Sequence, residues 1–135
     1  MSLRGDAIRL IHRYGPPRLV PNLEHNIKES LRLVTRQVAE EETPLGRTKI
    51  GGRPDLPDHV DWPVWRNLPQ YFVAQVNLCD LPDFDFLRVL PPEGILSFFY
   101  CGQTGGFDPR DKGSWRVFHF EDRNLRRREY PEDLL

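Results

Sequence analysis

Lys49-Ile50-Gly51-Gly52-Arg53-Pro54-Asp55-Leu56-Pro57, closed by Trp62-Pro63, is the stretch that organises this chain. Two adjacent glycines followed by prolines at 54, 57 and 63 exclude a helix and a regular central strand. Glycine admits positive φ, and each proline fixes φ and removes a backbone donor, so the path of this segment is imposed rather than permitted. Polar backbone groups that cannot join a ladder need partners elsewhere.

Those partners are expected just downstream. Tyr71 to Leu78 is the clearest strand, with Phe72, Ala74, Val76 and Leu78 on one face and Tyr71, Val73, Gln75 and Asn77 on the other. Gln75 and Asn77 are amides two residues apart, each with donors and an acceptor. The reading is that they latch the Gly/Pro segment onto the sheet, or that they read a ligand in a groove. Ile95 to Cys101 is a second strand, apolar on both faces and so central. Trp115 to Glu121 is a third, with Trp115, Val117 and His119 opposite Arg116, Phe118 and Phe120.

Working outward, residues 4–13 read as a short helix stopped by Gly15-Pro16-Pro17. Residues 22–38 fit both a helical stripe and an alternation; a helical turn at 22–28 and a strand at 30–37 is the division adopted. Glu40-Glu41-Glu42 and Pro44 end it in a solvated loop. Pro82 to Leu90 is expected to be a short helix, and Gly102 to Ser114 a glycine-rich loop. Trp62, Trp65 and Trp115 are expected as core or semi-buried anchors. Residues 122–135 read as a tail or an interrupted element, because Tyr130-Pro131-Glu132-Asp133 looks like a helix start with no helix behind it.

Composition bounds the rest. One domain is expected over 135 residues, with 39% hydrophobic and 29% charged residues. Thirteen prolines favour loops over long helices. A net charge of -1 carries no global bias toward nucleic acid or anionic membranes. There is no apolar run of membrane-spanning length and no apolar leader. Two cysteines, Cys79 and Cys101, make no disulfide framework, and a cytoplasmic protein with reduced thiols is expected.

No motif carries recognisable reaction chemistry, and no cofactor or metal is implied. Lys49-Ile50-Gly51-Gly52 lacks phosphate-loop spacing, and Pro54 stands where a helix would have to begin. Asp55, Asp58, His59 and Asp61 match no Ca²⁺ loop. Three functional readings follow. The first is a binding module whose contact residues are Lys49, Gly51, Gly52, Arg53, Asp55, Trp62, Gln75 and Asn77. The second is a small hydrolase using acids at 55–61 with His59 or His119, with Cys101 weighed beside His119. The third is nucleic-acid binding through Arg123, Arg126, Arg127 and Arg128.

A resemblance narrows the fold. Leu31-Arg32-Leu33-Val34, the Lys49–Pro57 block with Trp62-Pro63, Phe72-Val73-Ala74-Gln75-Val76-Asn77-Leu78, Leu90-Pro91-Pro92-Glu93-Gly94-x-Leu96-x-Phe98-Phe99 and the aromatic strand at 115–120 resemble, in order and spacing, the YwqG-like proteins, a bacterial family of unknown function. The resemblance covers roughly residues 29–121. It implies an α+β fold, mainly antiparallel sheet with one or two short helices and many loops, and favours a strand at 30–37. It supplies no activity, cofactor or catalytic residue. Members of that family are usually longer, so the resemblance also implies an N-terminal portion of a larger domain and an exposed strand edge able to pair with a second copy as a homodimer.

Overall fold

The computed structural model describes residues 3–102 and 108–134. The fold is α+β: two short helices, and strands that are all paired antiparallel. The chain divides into two compact units, Met1–Arg36 and Gln37–Leu135.

The first unit holds α1 (Leu3–Tyr14) and α2 (Val20–Asn26). Gly15 follows α1 and donates its amide to the Ile11 carbonyl, and the Pro16–Pro17 pair prevents continuation. Pro21 sits in the first turn of α2, where a missing N–H costs nothing. The strand expected at 30–37 is not formed. None of the sheets takes this segment as a partner, and Leu33 and Val34 stay exposed. A six-residue alternation overlaid on a helical stripe specifies neither element without a neighbour to pair with.

The second unit is built on a four-stranded sheet, ordered β1 (Lys49–Ile50), β5 (Tyr71–Asn77), β6 (Ile95–Tyr100), β7 (Trp115–Phe120). Two small ladders accompany it. β2 (Asp55–Pro57) pairs with β8 (Leu125–Arg127), and β3 (Val64–Trp65) pairs with β4 (Leu68–Pro69). The β3–β4 loop is two residues long, Arg66 and Asn67, both at positive φ, the geometry a tight hairpin demands.

The faces of β5 differ from simple alternation. The register runs Phe72↔Phe99 and then Ala74↔Phe98, so Val73 is an extra residue on β5. Such a bulge shifts every later side chain to the other face. Gln75 and Asn77 therefore stand opposite Ser97 and Ile95, on the face that also carries Phe72 and Phe99. That inner face is the core side: Leu56, Phe72, Ile95, Phe99 and Phe120 cluster there, with Val60, Trp62, Leu125 and Tyr130 packed against them.

Three further expectations are corrected. Residues 82–90 form only a single 3₁₀ turn, Asp85–Leu87, flanked by tight turns; Phe84 and Val89 are exposed, so no apolar stripe is buried to hold a longer helix. Residues 122–135 are not a free tail, since β8 completes the β2 ladder and Tyr130 stacks against Trp62. Trp115 is 60% exposed, on the outer face of the sheet, whereas Trp62 and Trp65 are half-buried with bonded indole N–H groups. Gly102 and Ser114 bound a loop of which 103–107 lie outside the described residues.

Gly94 has φ +103, and a Cβ there would lie 2.6 Å from His119 Nε2 and 2.8 Å from the Phe120 carbonyl oxygen. Its own carbonyl accepts the Leu78 amide at 2.9 Å. Gly94→Ala is expected to destabilise by about 1–3 kcal/mol from strain at this position, read as a lower urea midpoint at unchanged slope; an unchanged midpoint would show that the β5–β6 turn relaxes freely.

Candidate functional site

The candidate residues converge on one carboxylate. Asp55 is fully buried at the start of β2. Its Oδ2 accepts the Gly46 amide at 3.0 Å and Gln75 Nε2 at 2.9 Å. Its Oδ1 accepts Lys49 Nζ at 3.2 Å and Arg127 Nε at 2.9 Å. Its backbone amide donates to Gln75 Oε1 at 3.0 Å. Gln75, also fully buried, spends its second N–H on the Arg47 carbonyl at 2.8 Å. The amide latch expected from the sequence is thus present, and it grips both ends of the imposed turn segment.

Asn77 closes the same loop further along β5. Its Nδ2 donates to the Gly46 carbonyl at 2.8 Å, and its Oδ1 accepts the Cys79 amide at 3.0 Å. Thr48 links the two sides: its hydroxyl donates to Asp80 Oδ2 at 2.8 Å and accepts the Asn77 amide at 2.9 Å.

A second carboxylate anchors the glycine pair. Glu40 accepts the Arg53 amide at 2.6 Å and Arg53 Nε at 2.8 Å. Arg53 also pairs with Glu129, and Tyr130 donates its hydroxyl to the Gly52 carbonyl at 2.8 Å. Gly51 and Gly52 have φ +72 and +68, and the Gly51 amide donates to the Val73 carbonyl at 2.8 Å. A Cβ on Gly52 would meet Glu40 Oε1 at 2.9 Å, whereas one on Gly51 would meet open space. Trp62, the last candidate, packs edge-on to Phe99 and donates its indole N–H to the Gln70 carbonyl at 2.9 Å.

Electrostatics follow from burial against bonding. Burial alone raises the Asp55 pKa, but the Arg127, Gly46 and Gln75 bonds and the Lys49 charge outweigh it, leaving the carboxyl below its ordinary range. Glu40 is likewise held down: burial raises it, and the Arg53 bonds and charge win. Burial pushes the Lys49 ammonium below its usual value although Asp55 opposes the shift. Burial also raises the Tyr130 phenol.

The sequence reads Glu40 as part of a solvated loop and Arg127 as part of a tail or a nucleic-acid-binding cluster. Arg127 instead donates to Asp55, to the Glu40 carbonyl at 2.8 Å and to the Thr43 carbonyl at 2.7 Å. A period-2 reading of Leu125-Arg126-Arg127 would have marked 125 and 127 as facing the same side, the one local signal available. The remaining arginines are partly engaged as well: Arg126 with Asp58 and Arg128 with the Val60 carbonyl.

Asp55 and His119 do not come together, and His59 is exposed, as are Asp58 and Asp61. Asp55 contacts the inner face of the sheet, while His119 lies on the outer face and its Nε2 is 2.9 Å from the Glu93 carbonyl oxygen. Among the described residues, no group of three or more His, Cys, Asp or Glu side chains is placed to hold a metal ion. Both cysteines are free, Cys101 buried and Cys79 exposed. Among the described residues no helix is long and apolar enough to cross a membrane.

A family model described as a domain of unknown function, DUF1963, matches residues 48–132. The chain belongs to this family. The DUF1963 match begins at Thr48, one residue before β1, and takes in Lys49, Asp55, Gln75 and Arg127, so the buried hub lies within the family segment. Glu40 and the first unit lie outside it. No curated protein matches the chain.

Gln75→Leu keeps the volume and strands the Asp55 amide and the Arg47 carbonyl. A loss of at least ~1–3 kcal/mol is expected in urea unfolding. The pH dependence has a definite sign. Because the folded-state pKa values of Asp55 and Glu40 are depressed, the stabilisation is full above the ordinary carboxylate range, near about 4, and is lost as pH falls toward the folded values. Asp55→Asn is expected to flatten that acid slope; a variant with the wild-type slope would remove Asp55 as its source.

Proposed function

We propose that this DUF1963 chain is a protein-binding module whose contact surface is the Gly51–Gly52 turn and the apolar sheet surface beside it. One observation carries the reading: a turn held rigid from within, yet open outward. Its glycines are pinned by the Val73 carbonyl, the Tyr130 hydroxyl and the Arg53–Glu40 pair, while space lies beyond Gly51. Ile50 (61% exposed), Tyr71 and Val73 flank it without cover among the described residues. A preformed surface loses little entropy on binding, which is what a docking loop needs.

In this reading Lys49, Asp55, Trp62, Gln75 and Asn77 act from behind, positioning the turn rather than touching the partner. Arg53 lies at the boundary, its amide and guanidinium on Glu40 and Glu129. Within the family, the order of the sequence blocks supports a place among the YwqG-like proteins. Two free thiols are compatible with a reducing, cytoplasmic setting, and the YwqG-like resemblance supports a bacterial one. The hydrolase reading draws no support from Asp55 and His119, which lie on opposite faces of the sheet. The nucleic-acid reading has lost Arg127 to the hub, leaving a weaker basic face.

Ile50→Asp combined with Val73→Lys tests the surface. Both side chains are exposed, so stability is expected to change by no more than about 0.5 kcal/mol. Partners captured from host extract by the wild-type chain, once identified and re-tested as purified proteins, are expected to bind the double variant at least about tenfold more weakly. Undiminished binding by a folded double variant would overturn the proposed surface.

A further inference from the structure

Among the described residues, β7 is an edge strand without the usual protection. The sheet order ends at β7, and no other strand among the described residues pairs with its far side. Its sequence, Trp-Arg-Val-Phe-His-Phe, contains no proline, no bulge and one formal charge, Arg116. Natural edges normally carry charges, prolines or bulges, because an open row of N–H and C=O groups recruits another strand.

Which backbone groups face outward follows from the register. Cys101 donates its amide to the Ser114 carbonyl at 2.6 Å, continuing the series in which Tyr100 stands opposite Trp115. Hydrogen-bonded pairs alternate in an antiparallel ladder. The bonded pairs toward β6 therefore involve residues 114, 116, 118 and 120, and the N–H and C=O groups of Trp115, Val117 and His119 point to the free edge. The other side of β6 agrees: Leu78 donates to Gly94 at 2.9 Å, which assigns the even residues of β6 to β5 and the odd ones to β7.

We propose that a second copy of this chain docks along β7, antiparallel and centred on Val117, joining two four-stranded sheets into one of eight strands. Only this register uses all three outward residues of each copy within the strand, pairing Val117 with its counterpart and Trp115 with His119 of the other copy. A shift to centre on Arg116 sets two guanidinium groups directly opposite, which is destabilising. A shift to centre on Phe118 places Trp115 against Glu121, beyond the strand end. Charge complementarity favours the antiparallel arrangement. Counted on from this register, Lys112 falls opposite Asp122 and Asp111 opposite Arg123 of the other copy, while Arg110 is paired with its own Asp108. The apolar outer side chains Trp115 (60% exposed) and Val117 (43% exposed) become continuous across the two-fold axis. The occupant is thus this chain itself, on an edge separate from the Gly51–Gly52 turn.

The test uses light scattering over a concentration series and a cysteine placed on the axis. In a Cys79→Ser background, which removes the exposed thiol, Val117→Cys brings two sulfurs together across a hydrogen-bonded pair with Cα atoms about 5.5 Å apart, within disulfide reach. His119→Cys is the control, because its own counterpart lies four residues away, about 14 Å. We expect a concentration-dependent dimer of the wild-type chain, and disulfide formation at least about tenfold faster at 117 than at 119. A wild-type chain that stays monomeric throughout, or equal cross-linking at the two positions, would overturn the proposal. Neither result bears on binding by the Gly51–Gly52 turn, since Ile50 and Val73 are untouched.

Discussion

The Asp55 carboxylate in contact with the Gln75 amide is the constraint on which the second unit depends. Removing a carboxylate from water costs several kcal/mol even after relaxation, and only a full set of donors offsets it. Here the set is complete: two side-chain cations, one backbone amide and one carboxamide. The donors come from residues 46, 49, 75 and 127, so the carboxylate is satisfied only when the turn segment, β5 and β8 are together. A leucine at 55 would tolerate many packings. A buried carboxylate with four assigned partners tolerates one, and the backbone path of residues 46–57 is specified by that intolerance.

The bulge at Val73 makes this hub possible. Strict alternation along β5 would point Gln75 away from Phe72, toward the outer face, and would leave Asp55 without its carboxamide. The extra residue turns Gln75 and Asn77 inward while preserving Phe72 in the core. The Gly51 amide bond to the Val73 carbonyl continues the β1–β5 register. One inserted residue therefore sets the polar latch, and it explains why the run Phe-Val-Ala-Gln-Val-Asn carries both core and hydrogen-bonding residues on one face.

Legibility in the sequence divides along the same line. The three long strands, the first helix and the irregular path of 49–63 were readable because each rests on local chemistry: alternation, a proline stop, adjacent glycines. The latch was readable as a need, since a Gly/Pro segment has unpaired backbone groups and nearby amides can meet them. Its geometry was not, because a bulge leaves no period of its own. Glu40 and Arg127 were read as solvated charges since nothing within a few residues shows that they reach each other's segments, 87 residues apart. The segments at 30–37 and 82–90 failed for the opposite reason. Their apolar spacing suggested elements, but an element without a surface to bury against is not stable on propensity alone.

The two faces of the central sheet end in different states, and this asymmetry is what gives the fold a functional direction. The inner face is covered: it holds the aromatic cluster, the Asp55 hub and the Trp62 and Tyr130 rings. The outer face carries Ile50, Tyr71, Val117 and Trp115 in the open, more apolar side chains than a small sheet needs for its own packing. Asp55 and Gln75 are fully buried, the Lys49 and Arg127 side chains are 10% and 16% exposed, and the bonds among them hold the sheet that carries the outer surface. The stabilising hub and the proposed contact surface are thus separated by the thickness of one sheet. Selection can alter the exposed side without disturbing the ionic lock behind it, which suits a scaffold that presents changing contacts on a constant frame.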